Sequence, residues 1–339
     1  QSALGLRRDL EQISALFEDP QMVFQVARDD VSEELLVPET LYGREHERAT
    51  LLSAFEQVTR GNTEIMLVAG YSGIGKSVLV NEIYTSLAEK SGYFISGKFD
   101  QFQRNIPYSA MVKAFGELVQ QLFTESEAQL SVWKEKLLTA LGSNGQVMID
   151  IIPELELIIG PQPEILELDP AAAQHRFNVL FQNFIKVFTR PEHPLVLFLD
   201  DLQWADRASL GLISLLMTAV DSRYLLIIGA YRDNEVNEAH PLMLTLAEIQ
   251  QTGRPVNFIH LPPLSLSNIN QFVADTFQCT LEAAKPLAEL VQTKTHGNPF
   301  FIAEFLKSLY AEQLITFNVE HRCWQWDLPH IQAHDITDN

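Results

Sequence analysis

Ile65 to Lys90 read IMLVAGYSGIGKSVLVNEIYTSLAEK. The apolar run Ile65–Ala69 predicts a buried strand. Gly70-Tyr71-Ser72-Gly73-Ile74-Gly75-Lys76-Ser77 is a full match to G-x-x-x-x-G-K-[ST]. A helix is expected next, with Val78, Leu79, Ile83 and Leu87 on one apolar face. The residue types fit phosphate binding. Glycines lack Cβ atoms, so backbone N–H groups can turn towards phosphate oxygens. The helix N-terminus adds partial positive charge. Lys76 would bridge the β- and γ-phosphates, and the Ser77 hydroxyl would hold Mg²⁺. Gly70, Ser72, Gly73, Ile74, Gly75, Lys76, Ser77 and Val78 are the candidate contacts. A glycine-rich βα turn without a ligand is the alternative, but the flanking strand and helix are those the motif requires.

Leu195–Leu199 predicts a second buried strand, running into Asp200-Asp201-Leu202-Gln203-Trp204-Ala205-Asp206. Adjacent carboxylates at a strand end are costly without a cation, which favours a metal–nucleotide site. Asp200 would bind Mg²⁺ and Asp201 would act as general base on the attacking water. A solvated turn with Asp201 or Asp206 capping a helix is the alternative. Tyr224–Ala230 predicts another strand, followed by Tyr231-Arg232-Asp233-Asn234-Glu235. Parallel strands collect their carboxyl ends on one sheet edge, so Arg232 is expected near the γ-phosphate. Its alternative is a surface pair with Asp233 or Glu235. Tyr93–Phe99 and Val256–Leu261 complete the expected set of five strands.

Composition narrows the class. A hydrophobic fraction of 46% over 339 residues suits a globular protein with ample core. Two cysteines, Cys279 and Cys323, are too few for a disulfide framework or zinc site, so a reducing cytoplasm fits. The net charge of -20 disfavours nucleic acid as a partner. Ala208–Val220, the longest apolar stretch, is too short to span a bilayer, and QSALGLRRDL lacks a signal-peptide layout. No membrane association is expected.

Residues 1–40 read as an acid-rich lead-in, with an amphipathic helix over Leu4–Phe17 and an extended linker over Asp29–Pro38. They resemble a boundary between domains of a longer protein. Leu41-Tyr42-Gly43-Arg44-Glu45 opens the next unit, with a helix over Arg44–Val58. The stretch from Phe99 to Leu195 is too long for a bare loop. Helical patterns at Tyr108–Phe123, Ser131–Leu141, Val147–Ile152 and Ala171–Phe188 predict an insertion, about 100–190, on one edge of the sheet. Past Pro262-Pro263, helices are expected over Leu264–Phe277, Leu281–Thr293 and Pro299–Leu314. Between the last two lies His296-Gly297-Asn298-Pro299, where Asn298 suits an N-cap and Pro299 a first helical residue. Ile315–Phe317 and Cys323–Trp326 alternate as a hairpin would. His46, His175 and His193 lack metal-ligand spacing. Arg176 is expected to be a surface or salt-bridge residue.

Taken together, LYGRE, AGYSGIGKS, KFDQFQRNIPYSA, LVLFLDDLQWAD, GAYRDNEV and THGNPFFIAEFL resemble the AAA-type ATPase module of large bacterial signalling proteins. Those proteins join a serine/threonine kinase, this ATPase, helical repeats, a GAF domain and a sensor histidine kinase. The module is similar to the STAND class of signalling NTPases. The resemblance implies a three-layer α/β fold with a parallel five-stranded sheet, order 5-1-4-3-2. It implies an ATPase core over 41–262, a helical lid over 263–314 and the start of a truncated winged helix over 315–339. It also implies base or ribose contacts from Tyr42, Gly43 and Arg44 and from Gly297 and Pro299. Arg232 would sense the γ-phosphate. Asp201 stands where many fast ATPases carry Glu, and a shorter arm suggests slow turnover. No H-R-D-x-x-x-x-N or D-F-G occurs, so kinase activity would belong to other domains.

The expected function is Mg-ATP binding with slow hydrolysis, switching a signalling protein between states. ATP/ADP and Mg²⁺ are the expected ligands, and the parent's kinase, GAF and histidine-kinase domains the expected partners. Nucleotide-dependent self-association is left open. An ADP-holding scaffold with little turnover, or a small-molecule phosphotransferase, are the alternatives.

Overall fold

The structure is a computed structural model and describes residues 35–333 except 39, 85, 86, 88–91, 104 and 105. The expected helix at Leu4–Phe17 and most of the Asp29–Pro38 linker lie outside the described residues, as do positions 334–339 of the tail. Among the described residues two compact units emerge: residues 44–262, and residues 35–43 together with 263–333.

In the first unit five parallel strands form one sheet in the order β2-β3-β4-β1-β5. They are β1 (Thr63–Ala69), β2 (Tyr93–Lys98), β3 (Leu195–Asp200), β4 (Leu225–Tyr231) and β5 (Val256–His260). Read from the other edge, this is the expected order 5-1-4-3-2. β1, β3 and β4 are buried along almost their whole length, as strands covered on both faces must be. Tyr224 is not in a strand. Its φ of 55° places it in the left-handed turn that feeds β4.

Alternate strand residues point into two layers. Ile65, Leu67, Ile95, Leu195, Leu197, Leu225 and Ile227 join one large apolar cluster. Its other side comes from α3 (Ser109–Leu122), α4 (Glu127–Leu141), α5 (Pro170–Phe188), α6 (Arg207–Thr218) and α7 (Pro241–Gln251). The opposite face carries α1 (Glu45–Thr59), against β1 and β4, and α2 (Lys76–Asn81), against β4. Residues 83, 84 and 87 are also helical, and Tyr84 packs on Phe94.

The insertion lies over the face of β2 and β3 as well as fringing the edge, because α3 seats directly on β2. At Gly97 a Cβ would come within 2.1 Å of the Ala110 carbonyl oxygen, so only glycine permits that approach. Phe177, Phe181, Phe184 and Phe188 follow one face of α5 and pack in sequence, with Phe115 and Trp133 across from them. Helix α7 is absent from the sequence expectations. Its signals are His240, whose side chain caps Leu242 N–H, Pro241 at the first turn, and buried Leu242, Leu246 and Ile249.

In the second unit α8 (Leu266–Phe277), α9 (Leu281–Thr295) and α10 (Pro299–Ala311) pack around Ile269, Leu287, Val291, Ile302 and Leu306. Strands β6 (Ile315–Asn318) and β7 (Cys323–Trp326) pair antiparallel, with Phe317 opposite Trp324. Ile315, Trp324 and Ile331 belong to the same apolar cluster as the three helices.

Candidate functional site

The loop between β1 and α2 is shaped by its glycines. Gly75, directly before α2, has φ 102°, a left-handed backbone that side chains resist. At Gly70 a Cβ would stand 3.0 Å from the Leu261 carbonyl. The loop is anchored there, since Leu261 N–H donates to the Ala69 carbonyl at 2.9 Å. Ile74 is buried and pins the middle of the loop. Lys76 is the first residue of α2 and is buried. Its ammonium donates to the Gly70 and Tyr71 carbonyls at 2.8 and 2.9 Å. Burial holds its pKa below the ordinary lysine value, with Asp200, Asp201 and Asp233 opposing and Arg232 reinforcing that shift. One expectation fails here. Val78 does not join the apolar face of α2 but is exposed, while Leu79, Val80, Ile83 and Leu87 are buried.

The acidic turn comes up beside this loop. Ser77 Oγ donates to Asp200 Oδ2 at 3.4 Å, so the two motifs meet. Asp200 Oδ1 accepts from Asp201 N–H at 2.9 Å. Asp201 is buried and holds a left-handed backbone, φ 54°. Its Oδ1 accepts from Gln203 Nε2 at 2.8 Å and lies 3.4 Å from Arg232 Nε. Lys98 Nζ approaches Asp201 Oδ2 at 3.1 Å and Asp200 Oδ2 at 3.5 Å. Burial works to lower the Lys98 pKa, but the hydrogen bond to Asp201 and the two carboxylate charges outweigh it and raise it. Asp206 takes the capping role: it accepts from Ser209 N–H at 2.9 Å and from Tyr108 N–H at 3.3 Å.

Arg232 follows β4 and stands where the parallel strand ends converge, in line with Ala69 and His260 at the ends of β1 and β5. Besides Asp201 it contacts Glu235 Oε1 at 2.9 Å, and its guanidinium lies 4.8 Å from the Trp204 ring centre. Trp204 Nε1 donates to Glu235 Oε2 at 3.2 Å. The expected pair with Glu235 is thus present, together with a contact to Asp201.

Lys76, Ser77, Asp200, Asp201 and Arg232 are thus gathered in one unit. Sequence reading missed Lys98 and Trp204 as members of the cluster. Lys98 was within reach of the strand order: as the last residue of β2, the neighbour of β3, it pairs in register with Asp200. Arg44, also in this unit, is buried, and its guanidinium donates to the Pro262 carbonyl and meets Glu47 at 3.5 Å. Burial lowers its pKa, with Glu47 opposing.

The remaining candidates belong to the second unit. Tyr42 donates to Asp275 Oδ2 at 2.9 Å and packs on Phe272. Burial, then Asp275, pushes its phenol well above the usual range. Gly43 has φ 61°, and a Cβ there would overlap Asn268. The Gly297 carbonyl accepts from Leu264 N–H at 2.8 Å. Asn298 caps α10 through Phe300 N–H at 3.1 Å, with Pro299 in the first turn, as expected.

Hard divalent cations such as Mg²⁺ take oxygen ligands and are commonly held by one or two carboxylates with several waters. The Ser77 hydroxyl and the Asp200 carboxylate are such a donor set. Among the described residues no helix is long and apolar enough to cross a membrane.

Comparison with known proteins gives a consistent picture. A family described as the AAA ATPase domain matches residues 40–228. Another, described as a domain of unknown function, matches residues 281–321. Hybrid signal transduction histidine kinase G of Dictyostelium discoideum is 31% identical, over 100% of this chain and 12% of its own length. The peroxide stress-activated histidine kinase mak2 of Schizosaccharomyces pombe is 26% identical, over 78% of this chain and 12% of its own length. The chain therefore spans about an eighth of these curated relatives. Among solved structures, Cdc6p of Pyrobaculum aerophilum aligns with a TM-score of 0.47 and 16% identity, covering 84% of this chain and 66% of that one. RuvB of Thermotoga maritima aligns with a TM-score of 0.40 and 15% identity, covering 82% and 66%.

Proposed function

Because the chain belongs to the AAA ATPase domain family, we propose that it binds Mg-ATP, hydrolyses it slowly and works as a nucleotide-dependent switch within a larger signalling protein. Nucleotide binding and the ATPase class come with the family. The observation that carries the rest is the meeting of the two motifs, with Ser77 Oγ 3.4 Å from Asp200 and the Lys76 ammonium turned into the loop.

In this reading Lys76 and the backbone of Gly70–Ser77 hold the phosphates. Ser77 and Asp200 would hold Mg²⁺, which when bound supplies positive charge against the phosphates. Asp201 takes the proton of the attacking water. Arg232 reads the γ-phosphate. Slow turnover has a physical basis in Asp201, whose oxygens are engaged by Gln203, Arg232 and Lys98. Each of these contacts competes with the attacking water for the carboxylate. The same crowding supports a second reading, a module that holds ADP and seldom turns over.

The histidine-kinase names of the relatives support a place inside a histidine-kinase signalling protein. The STAND assignment, a serine/threonine kinase and a GAF domain as neighbours, and a cytoplasmic location rest on the sequence resemblance and composition. So do nucleotide contacts from Tyr42, Gly43, Arg44, Gly297 and Pro299.

Phosphate release from ATP, with and without small-molecule acceptors, tests the function. Slow Mg²⁺-dependent release that ignores acceptors is the expected result. Tight ADP binding without release would favour the scaffold, and acceptor-dependent transfer a phosphotransferase. Absence of nucleotide binding would overturn all three.

A further inference from the structure

Gln203 is 2% exposed and lies between Asp201 and the end of β4. Its Nε2 donates to Asp201 Oδ1 at 2.8 Å, and its Oε1 accepts from the Arg232 backbone N–H at 3.2 Å. Both partners are one-sided, since an ionised carboxylate only accepts and a backbone N–H only donates. A single orientation of the amide satisfies both, and a flip would lose both. The turn that carries Gln203 is wedged in place. Leu202 is buried over Gly229 of β4, where a Cβ would come within 2.2 Å of Leu202 Cδ1. Trp204 N–H closes the turn on the Asp201 carbonyl at 2.9 Å.

We propose that Gln203 is the positioning residue of the hydrolytic reaction: it holds Asp201 Oδ1 so that Oδ2 is the oxygen presented for proton transfer. The inference rests on the ATPase reading above. The two oxygens differ in what surrounds them. Oδ1 is engaged by the buried Gln203 amide and the Arg232 guanidinium. Oδ2 meets Lys98, whose side chain is 63% exposed and can swing into solvent. Gln203 does not touch the substrate and acts through Asp201. Its second hydrogen bond gives it a further task. A shift of the Arg232 backbone is passed to the carboxylate through one rigid amide, which links the γ-phosphate sensor to the base.

Two substitutions separate this from a glutamine that only completes local hydrogen bonding. Gln203→Leu removes both hydrogen bonds at similar size. Gln203→Glu keeps the acceptor towards Arg232 and replaces the donor towards Asp201 by a second carboxylate that repels it. Turnover, KM, ATP affinity and melting temperature are measured on the full chain, for each variant alone and with Asp201→Asn. Displacing a catalytic group by about 1 Å costs on the order of 100-fold, so kcat is expected to fall roughly 30- to 100-fold in both variants. KM and ATP affinity should stay within about threefold, because the interaction matters only in the chemical step. In the Asp201→Asn background neither change should slow turnover further, since two residues acting as one unit are not additive. A folded variant with wild-type kcat, or a loss that adds to that of Asp201→Asn, overturns the proposal. If Gln203→Leu does not fold, Gln203→Glu decides. A wild-type chain that releases no phosphate takes the ATPase reading and this inference down together. A wild-type chain that hydrolyses ATP, is disabled by Asp201→Asn and is indifferent to both Gln203 changes defeats only the inference.

Discussion

In the loop between β1 and α2 the Lys76 ammonium is held by main-chain carbonyls of Gly70 and Tyr71. In the turn after β3 the carboxylates of Asp200 and Asp201 are held by side chains of the turn and of three other elements: Gln203 from the turn itself, Ser77 from α2, Lys98 from β2 and Arg232 from the end of β4. The loop is folded by its own glycines and pinned to the sheet at Leu261, so its lysine contacts are made within a few residues. The turn is a network that exists only once the sheet has formed. A change in the loop should be felt where the phosphates bind, whereas a change in the turn should be felt by every partner.

The sharpest way to break that contrast is at Asp201. Asp201→Asn keeps the size and removes the base, so ATP should still bind and raise the melting temperature while hydrolysis falls about 10²-fold or more. If turnover survives, the turn is not the chemical half of the site. Next is the loop. Lys76→Ala removes charge-assisted contacts of about 1.5–3 kcal/mol each, so triphosphate affinity should drop roughly tenfold to over a hundredfold in a titration. Unchanged affinity would mean that the phosphates bind elsewhere. Arg232 tests whether the network distinguishes nucleotides. Arg232→Ala should weaken a non-hydrolysable ATP analogue about tenfold, the loss of one charged hydrogen bond, and leave ADP nearly unaffected. Equal losses for both nucleotides would remove its sensing role. The smallest effect belongs to Lys98. Its side chain is largely exposed, so Lys98→Ala should alter stability by no more than about 1 kcal/mol in denaturant unfolding. A larger change would make the network a structural core rather than a functional one.

The same contrast explains what the sequence made legible. The phosphate loop is contiguous, so the motif located Gly70–Ser77 and the strand before it. Strands covered on both faces appear as unbroken apolar runs, and β1, β3 and β4 were found that way. The pairing of Lys98 with the carboxylates depends on register between strands separated by the whole insertion, which no local pattern encodes. Val78 stands off the apolar side of α2, which the helical period of about 3.6 residues assigns to Leu79, Val80, Ile83 and Leu87. Helix α7 opens on Pro241, and at the first helical turn proline is well placed. At Asp201, a left-handed backbone at a non-glycine residue is invisible in the letters, yet it aims the carboxylate at Gln203 and Arg232.

The hairpin of β6 and β7 has a practical consequence. Trp324 is packed by Phe277, Tyr310 and Phe317, with ring centres 5.4–5.6 Å away. Ile315 and Ile331 fill the same cluster. A fragment cut at Leu314, the boundary suggested by the helical pattern, would therefore expose the apolar flank of α8 and α10 to water. Recombinant dissection of this chain should keep residues through at least Ile331, and a protease that nicks between α10 and β7 should loosen the unit well upstream of the cut.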